Sequence, residues 1–353
     1  MLSLEDAAAL SAWYRAPRLK IQEYLRGSPA VGLREIIDGV ANLPPPDSFA
    51  ASLRQRGQRM LDVAARAGIH ALAWGRPEYP PLLAAIPDAP FVLWSKGTRS
   101  GFSKPAVAIV GSRAATPYGL EAASRLAGDL AAAGVLVVSG LARGIDSAAH
   151  RAALAAGGDT VAVLGSGVDV IYPPEHLRLA GEVTRHGAVV SEFPPGTMPV
   201  AFHFPARNRI ISGFSAAVVV VEAAERSGSL ITAGFALDQG RAVMAVPGSV
   251  LSGRHRGCHA LIRDGATVVE SAEDVLAELH GSFLACPTGA SDPFPKDPIL
   301  ATMAAGESYD VEALSAETGL APALLLPRLL ELELRGAVKR LDGGRFVRAG
   351  RTC

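Results

Sequence analysis

Little in this chain of 353 residues suits cross-linking, membranes or bulk electrostatic attraction. Cys258, Cys286 and Cys353 are too few and too scattered for a disulfide framework. No run approaches the roughly 20 apolar residues of a membrane span. Residues Met1 to Leu10 already carry Glu5 and Asp6, so no signal peptide is expected, and the expected setting is the cytoplasm with no membrane partner. Positive charge is not in excess: Lys and Arg total 34, as do Asp and Glu. Residues 1–100 hold 12 basic against 9 acidic side chains, residues 101–275 hold 14 against 15, and residues 298–353 hold 7 against 7. A polyanion site must therefore be local and shaped rather than a broad electrostatic footprint. No Gly-Lys-Ser/Thr closes a phosphate loop and no G-x-G-x-x-G follows a strand-like run, which disfavours P-loop and dinucleotide chemistry. His255, Cys258 and His259 have metal-like spacing but lack a fourth ligand, so no metal and no cofactor are expected.

What the chain does have is apolar: 49% of it is hydrophobic and only 19% charged, the composition of a globular protein with a sizeable core. Apolar strand-like runs at Ala106–Val110, Val135–Ser139, Thr160–Leu164, Ala188–Ser191, Ala216–Glu222, Ala242–Val246 and Thr267–Val269 alternate with helical patterns. Those patterns include Pro117–Ala132, Asp146–Ala156, Glu175–His186 and Thr232–Gln239. The alternation predicts an α/β core with a doubly wound, mostly parallel sheet of extended Rossmann-like type, covered by helices on both faces. Ligands in such sheets bind beyond the carboxyl ends of the strands.

Four modules are expected. Residues 1–67 read as short helices broken at Gly27-Ser28-Pro29 and Pro44-Pro45-Pro46, similar to SAM or helix-hairpin-helix units. Residues 68–280 are the core, and residues 281–297 a linker rich in Gly, Pro and Ser. Residues 298–353 carry three helices and two strands joined by Asp342-Gly343-Gly344, the pattern of a winged helix. Its third helix, around Arg328, Glu331 and Glu333, is apolar and net neutral, which favours protein contact over reading a major groove.

The chemistry gathers at predicted strand ends. Phe202-His203-Phe204-Pro205-Ala206-Arg207-Asn208-Arg209-Ile210-Ile211 holds two arginines and an asparagine in an apolar frame. Pro205 suits a first helical turn, where free N–H groups and the helix dipole favour anions. Arginine adds a planar fork that fits phosphate. Gly111, Ser112 and Arg113 end the first core strand before a helix opening at Thr116-Pro117. Gly140, Arg143 and Gly144 end the second, with Asp146 placed to cap the next helix. Glu222 ends a later strand, before a third small-residue cradle that contains Ser229 and Thr232; Pro247-Gly248-Ser249 is a fourth. The candidate binding residues are thus Gly111, Ser112, Arg113, Gly140, Arg143, Gly144, Arg207, Asn208, Arg209, Ser229, Thr232 and Gly248. No nucleophile or acid is assigned a catalytic role.

Taken together these motifs resemble the DNA-processing protein A (DprA/Smf) family. The matching segments are Val107–Arg113, Ser139–Asp146, Val163–Gly167 with Tyr172-Pro173, Ser191–Pro194, Phe204–Ile211, Val221-Glu222, Ser227–Thr232 and Pro247-Gly248. They run in order across residues 68–270. The resemblance implies a homodimer that binds single-stranded DNA, protects it and passes it to the RecA recombinase during natural transformation. It also implies binding roles for Arg113, Arg207, Asn208 and Arg209. One departure is Gly257-Cys258-His259, where the family commonly has Gly-Ser/Thr-Asn ahead of the Leu-Ile pair.

Three readings follow. As a binding protein, the chain would seat DNA phosphates in the four cradles and stack bases on Phe202, Phe204, Tyr118 or Tyr172. With no basic block, only about two to four phosphates per protomer are expected to be neutralised. As an enzyme, it would be a nucleotide N-glycosidase of the lysine-decarboxylase-like type, with Asp146 and Glu222 as paired carboxylates. The Gly-Gly-x-Gly-Thr-x-x-Glu run of those hydrolases is absent. As a scaffold, it would expose an apolar patch for a protein partner.

Overall fold

The computed structural model describes residues 3–13, 18–27, 32–40, 46–283, 298–303, 308–334, 338–340 and 345–348. Most of the expected linker, and the wing turn at Asp342-Gly343-Gly344, lie outside the described residues, as do Cys286 and Cys353. The chain divides into two compact units, Met1–Leu279 and His280–Cys353.

In the first unit the strands are β1 (His70–Ala73), β2 (Val92–Gly97), β3 (Ala106–Val110), β4 (Leu136–Ser139), β5 (Thr160–Val163), β6 (Ala188–Ser191), β7 (Ala217–Val220), β8 (Ala242–Ala245) and β9 (Thr267–Val268). The helices are α1 (Leu4–Ser11), α2 (Arg18–Gly27), α3 (Leu33–Val40), α4 (Asp47–Arg66), α5 (Pro81–Ala84), α6 (Pro117–Ala132), α7 (Ile145–Ala155), α8 (Leu177–His186), α9 (His203–Phe214), α10 (Gly228–Asp238), α11 (Arg256–Arg263) and α12 (Ala272–Phe283). One nine-stranded sheet runs in the order β1-β2-β6-β5-β4-β3-β7-β8-β9. Strands β3 to β9 are all mutually parallel, as the apolar runs predict, while β1 and β2 add antiparallel pairings at one edge.

Side-chain alternation along β3 shows how the layers form. Val107 and Ile109 join Leu126, Leu130 and Ala149 of α6 and α7 on one face. Ala108 and Val110 join Ile210, Ile211 and Phe214 of α9 and Ala233 and Ala236 of α10 on the other. A third cluster ties the N-terminal helices to the sheet: Leu10, Ile21, Ile36 and Leu53 share it with Trp94 of β2 and Leu179 and Val183 of α8. The helices of residues 3–66 therefore bury their apolar faces against the core rather than only against one another.

The chain moves outward from β3 through β4 and β5 to β6, then crosses back to β7 beside β3. The connections leaving β3 and β7 turn to opposite sides, and a crevice opens where strand order reverses.

The second unit has helices α13 (Pro298–Thr302), α14 (Val311–Thr318) and α15 (Pro322–Leu334) and strands β10 (Ser308–Tyr309), β11 (Val338–Arg340) and β12 (Phe346–Arg348). Its sheet has three strands in the order β10-β12-β11, one more than the sequence indicates. Leu325, Leu329 and Leu332 of α15 pack into its core with Ile299, Leu314 and Phe346. Leu324, Leu326 and Leu330 on the same helix are exposed. Among the described residues, no helix is long and apolar enough to cross a membrane.

Candidate functional site

Helix α9 sets the geometry. Phe204, Arg207, Asn208 and Ile211 fall at spacings of three and four and share one face. That face lines a cleft of about 580 Å³ at the carboxyl ends of β3 and β4. Val110, Gly111 and Arg113 line it from the end of β3, Ala142 from the β4–α7 connection, Asp146 from the start of α7, and Ser229 and Thr232 from α10. A small recess beside it brings Arg113, Gly140, Arg143 and Arg207 together with Tyr172.

Arg113 is exposed, and its guanidinium lies 5.5 Å from the centre of the Phe204 ring. The same ring meets Tyr172 at 5.4 Å. The cleft rim therefore presents one cation over an aromatic step. Arg207, by contrast, is buried. Its Nη1 donates to the carbonyl oxygens of Gly140, at 2.7 Å, and of Val163, and its Nε to Asn208 Oδ1 at 3.1 Å. Asn208 passes the link onward, donating from Nδ2 to Gly228 O at 3.2 Å. One relay thus runs from the ends of β4 and β5 to the first residue of α10. Burial pulls the Arg207 guanidinium down to about 10, with Asp146 opposing and Arg113 assisting. Burial likewise raises the Asp146 carboxyl, against the pull of Arg207 and of backbone N–H groups.

Two expected anion cradles are already filled by the protein's own carboxylates. At the start of α6, Glu222 Oε2 accepts from the Thr116 amide at 3.0 Å and the Thr116 hydroxyl at 2.6 Å. Glu222 is fully buried, and a Cβ on Gly119 would stand 2.5 Å from its Oε2. The open helix terminus expected after Gly111-Ser112-Arg113 gives way to an internal anion at the positive end of the helix dipole. In the first turn of α7, Asp146 Oδ2 accepts from the amides of Gly140 at 3.1 Å and Ala142 at 3.3 Å in the β4–α7 connection. Asp146 is therefore not the cap of α7. Gly144 holds that position with φ 73°, and Asp146 braces the turn before it.

The glycines serve close approach between protein segments. A Cβ on Gly140 would meet Arg207 Nη1 at 2.3 Å, and one on Gly144 would meet Ser112 O at 2.2 Å. Ser112 is held by its backbone, donating to Glu222 O at 2.7 Å. Arg143 is exposed and paired with Glu175, whose hydrogen bond raises the guanidinium further. Gly248 does not line the cleft; it lies under the buried His255 ring, and its carbonyl faces His259 Nε2 at 3.1 Å. The departure at His259 thus falls in a histidine pair away from the cleft lining. Cys258 is buried, and burial pushes its thiol up to about 11.

Arg209 stands apart from Arg207 for a geometric reason: residues two apart on a helix point to different sides. Arg209 is buried among carboxylates, with Nη2 2.7 Å from Glu192 Oε2 and Nε 3.0 Å from Asp88 Oδ2. Glu192 Oε2 also receives Arg18 Nη1 of α2 at 2.6 Å. This network joins the N-terminal helices to the core, and Arg209 does not line the cleft. The helical spacing of the Phe204–Ile211 run was the available signal for that separation.

The third cradle remains open. Ser227 caps α10, accepting from Ser229 N at 3.4 Å, and its hydroxyl pairs with that of Ser229 at 2.7 Å. Thr232, almost fully buried, lines the cleft one turn on. The cleft therefore joins an eleven-residue helix start, two hydroxyl side chains, the exposed Arg113 and the Phe204–Tyr172 rings.

Comparison with known proteins accords with this geometry. The profile of DNA recombination-mediator protein A matches residues 70–280, and the DprA winged helix domain matches residues 287–344. DNA processing protein DprA of Streptococcus pneumoniae is 50% identical over 202 residues, covering 57% of this chain and 71% of that protein. Protein Smf of Escherichia coli is 41% identical over 288 residues, 78% of this chain and 76% of its own. The X-ray structure of the S. pneumoniae protein matches with a TM-score of 0.68 at 38% identity, over 78% of this chain and 98% of that one. A Helicobacter pylori DNA processing protein A structure, described for its single-stranded DNA binding mode, matches with a TM-score of 0.55 at 27% identity, over 60% of this chain and 96% of that one. The chain belongs to the DNA recombination-mediator protein A family.

Proposed function

We propose that this chain binds single-stranded DNA in the cleft at the strand ends and, as a homodimer, delivers it to the RecA recombinase. The observation that carries the reading is the pairing of the exposed Arg113 with the Phe204 ring at the mouth of the open α10 cradle. A phosphate between Arg113 and the α10 N-terminus leaves the adjoining base against Phe204 or Tyr172. With two of the four cradles closed by Glu222 and Asp146, contacts fall at the low end of about two to four phosphates per protomer. The H. pylori relative and the mediator character of the family support the DNA and recombinase assignments. The apolar outer face of α15, with Leu324, Leu326 and Leu330, speaks for a protein-contact role of the winged helix.

The N-glycosidase reading needs two carboxylates facing one sugar. Asp146 lines the cleft, but Glu222 is spent on Thr116 and does not. This favours a binding role over a catalytic one.

The test is titration of a fluorescent single strand, and of duplex of equal length, across a salt series. Preference for the single strand is expected, with a log–log slope of about −1.4 per protomer. Release of free base from nucleoside monophosphates would favour the enzyme instead. RecA filament nucleation on protein-coated strands, with and without this chain, tests the delivery step.

A further inference from the structure

The cleft wall after β4 contains the only non-glycine residue with positive φ among the described residues. Leu141 has φ 56°, although its side chain is fully buried with Leu164, Val168 and Leu179. Such a conformation persists in a bulky residue only where its surroundings over-determine it. Three side chains from three elements do so. Asp146 of α7 holds the amides on either side of Leu141, those of Gly140 and Ala142. Arg207 of α9 holds the Gly140 carbonyl. The third is His176, whose Nδ1 lies 2.8 Å from Leu141 O. A carbonyl oxygen only accepts, so Nδ1 carries the proton and donates.

His176 ends a single 3₁₀ turn, Pro174–His176, and stands at the N-cap position of α8 without capping it. Its ring is buried and turned to the neighbouring turn instead. The preceding residue, Glu175, pairs with Arg143 in the same turn. The 3₁₀ segment thus grips the Gly140–Gly144 connection at two points, one buried and one exposed. Ala142 of that connection and Asp146 of α7 line the cleft, and His176 does not.

We propose that His176 is a positioning residue: by holding the left-handed Leu141 turn it fixes the cleft wall, so ligand affinity depends on a side chain that does not line the cleft. The affinity half rests on the single-stranded DNA reading, and the backbone half stands without it.

The experiment compares wild type with His176→Ala, His176→Asn and His176→Gln. It reads amide hydrogen exchange across residues 140–144 and affinity for a fluorescent single-stranded oligonucleotide. Asn keeps a donor nitrogen at the same number of bonds from Cα as Nδ1; Gln moves it one bond out. Exchange of the turn is expected to speed up in the Ala and Gln variants, with oligonucleotide binding weakened about 5- to 10-fold, the worth of one buried hydrogen bond. The Asn variant is expected to stay within about twofold of wild type on both readouts. Unchanged exchange in the Ala and Gln variants overturns the proposal, as does an Asn variant no better than Gln. Should the Ala variant not fold, the Asn–Gln comparison decides. Should wild type bind no oligonucleotide, the DNA reading fails and the exchange arm alone decides the role of His176.

Discussion

Arg207 donates to the carbonyl oxygens of Gly140 and Val163, so one buried guanidinium closes the ends of β4 and β5 against each other. Its neighbour Asn208 extends the tie to Gly228 at the start of α10. The arginine acts first as a brace for the cleft and only then as a cation within it.

Lysine in its place would carry the charge but not the planar fork. Arg207→Lys is expected to cost about 2 kcal/mol, because a buried acceptor loses its donor. Urea denaturation followed by circular dichroism measures this. A midpoint equal to wild type would remove the bracing role.

Arg209 answers to a different set of partners. Glu192 is buried between Arg209 and Arg18, and removing its charge leaves the buried Arg209 guanidinium with only the partly exposed Asp88 as counter-charge. Glu192→Gln is expected to lower stability by about 3 kcal/mol. Arg18 is far more exposed, and Arg18→Ala should cost only about 1 kcal/mol. Limited proteolysis should then cut the N-terminal helices of the Glu192→Gln variant sooner, while oligonucleotide affinity of the folded protein is unchanged.

Gly119 is demanded by Glu222. A Cβ there would stand 2.5 Å from the carboxylate that closes α6. Gly119→Ala replaces a helical glycine with a better helix former, yet it is expected to destabilise the chain by about 1–3 kcal/mol through overpacking. A more stable Gly119→Ala variant would contradict the placement of Glu222.

His150 supplies a pH dependence. It is fully buried, with Nδ1 2.7 Å from Thr160 Oγ1, whose own proton goes to Val137 O. Nε2 has no partner. Burial, with Arg207 adding repulsion, lowers the imidazole from 6.5 to about 3. The unfolded chain therefore binds one more proton than the folded chain between those values. The stabilisation is complete above about pH 6.5 and is lost as pH falls toward 3, at up to about 1.4 kcal/mol per unit. Urea midpoints at pH 7 and pH 5 should fall less in His150→Asn than in wild type. An identical fall in both would show that His150 does not carry the effect.

Much of the fold was legible because its strands are apolar on both faces. The Ala106–Val110 and Ala188–Ser191 runs became strands with the expected bounds, and Pro117–Ala132 a helix. The antiparallel pairing of β2 with β6 and the packing of α1–α4 on the sheet were not, since both depend on contacts far apart in sequence. At the site, the cradles were visible as glycines at strand ends, but what fills them was not. Glu222 reaches Thr116 across 106 residues. Spacing along α9 could have separated Arg209 from Arg207; no local signal marks His176, whose partner lies 35 residues away.

Single-stranded oligonucleotide affinity in Arg113→Ala, beside wild type and a folded Arg209→Ala control, tests directly whether this cleft seats DNA. Arg113 is exposed and, among the described residues, bonds no carboxylate or carbonyl, so its loss should leave stability intact. Arg113→Ala should weaken binding at least about tenfold with an unchanged unfolding midpoint, while folded Arg209→Ala should bind like wild type. Equal affinity of Arg113→Ala and wild type, or weakening confined to Arg209→Ala, would place the DNA away from this cleft.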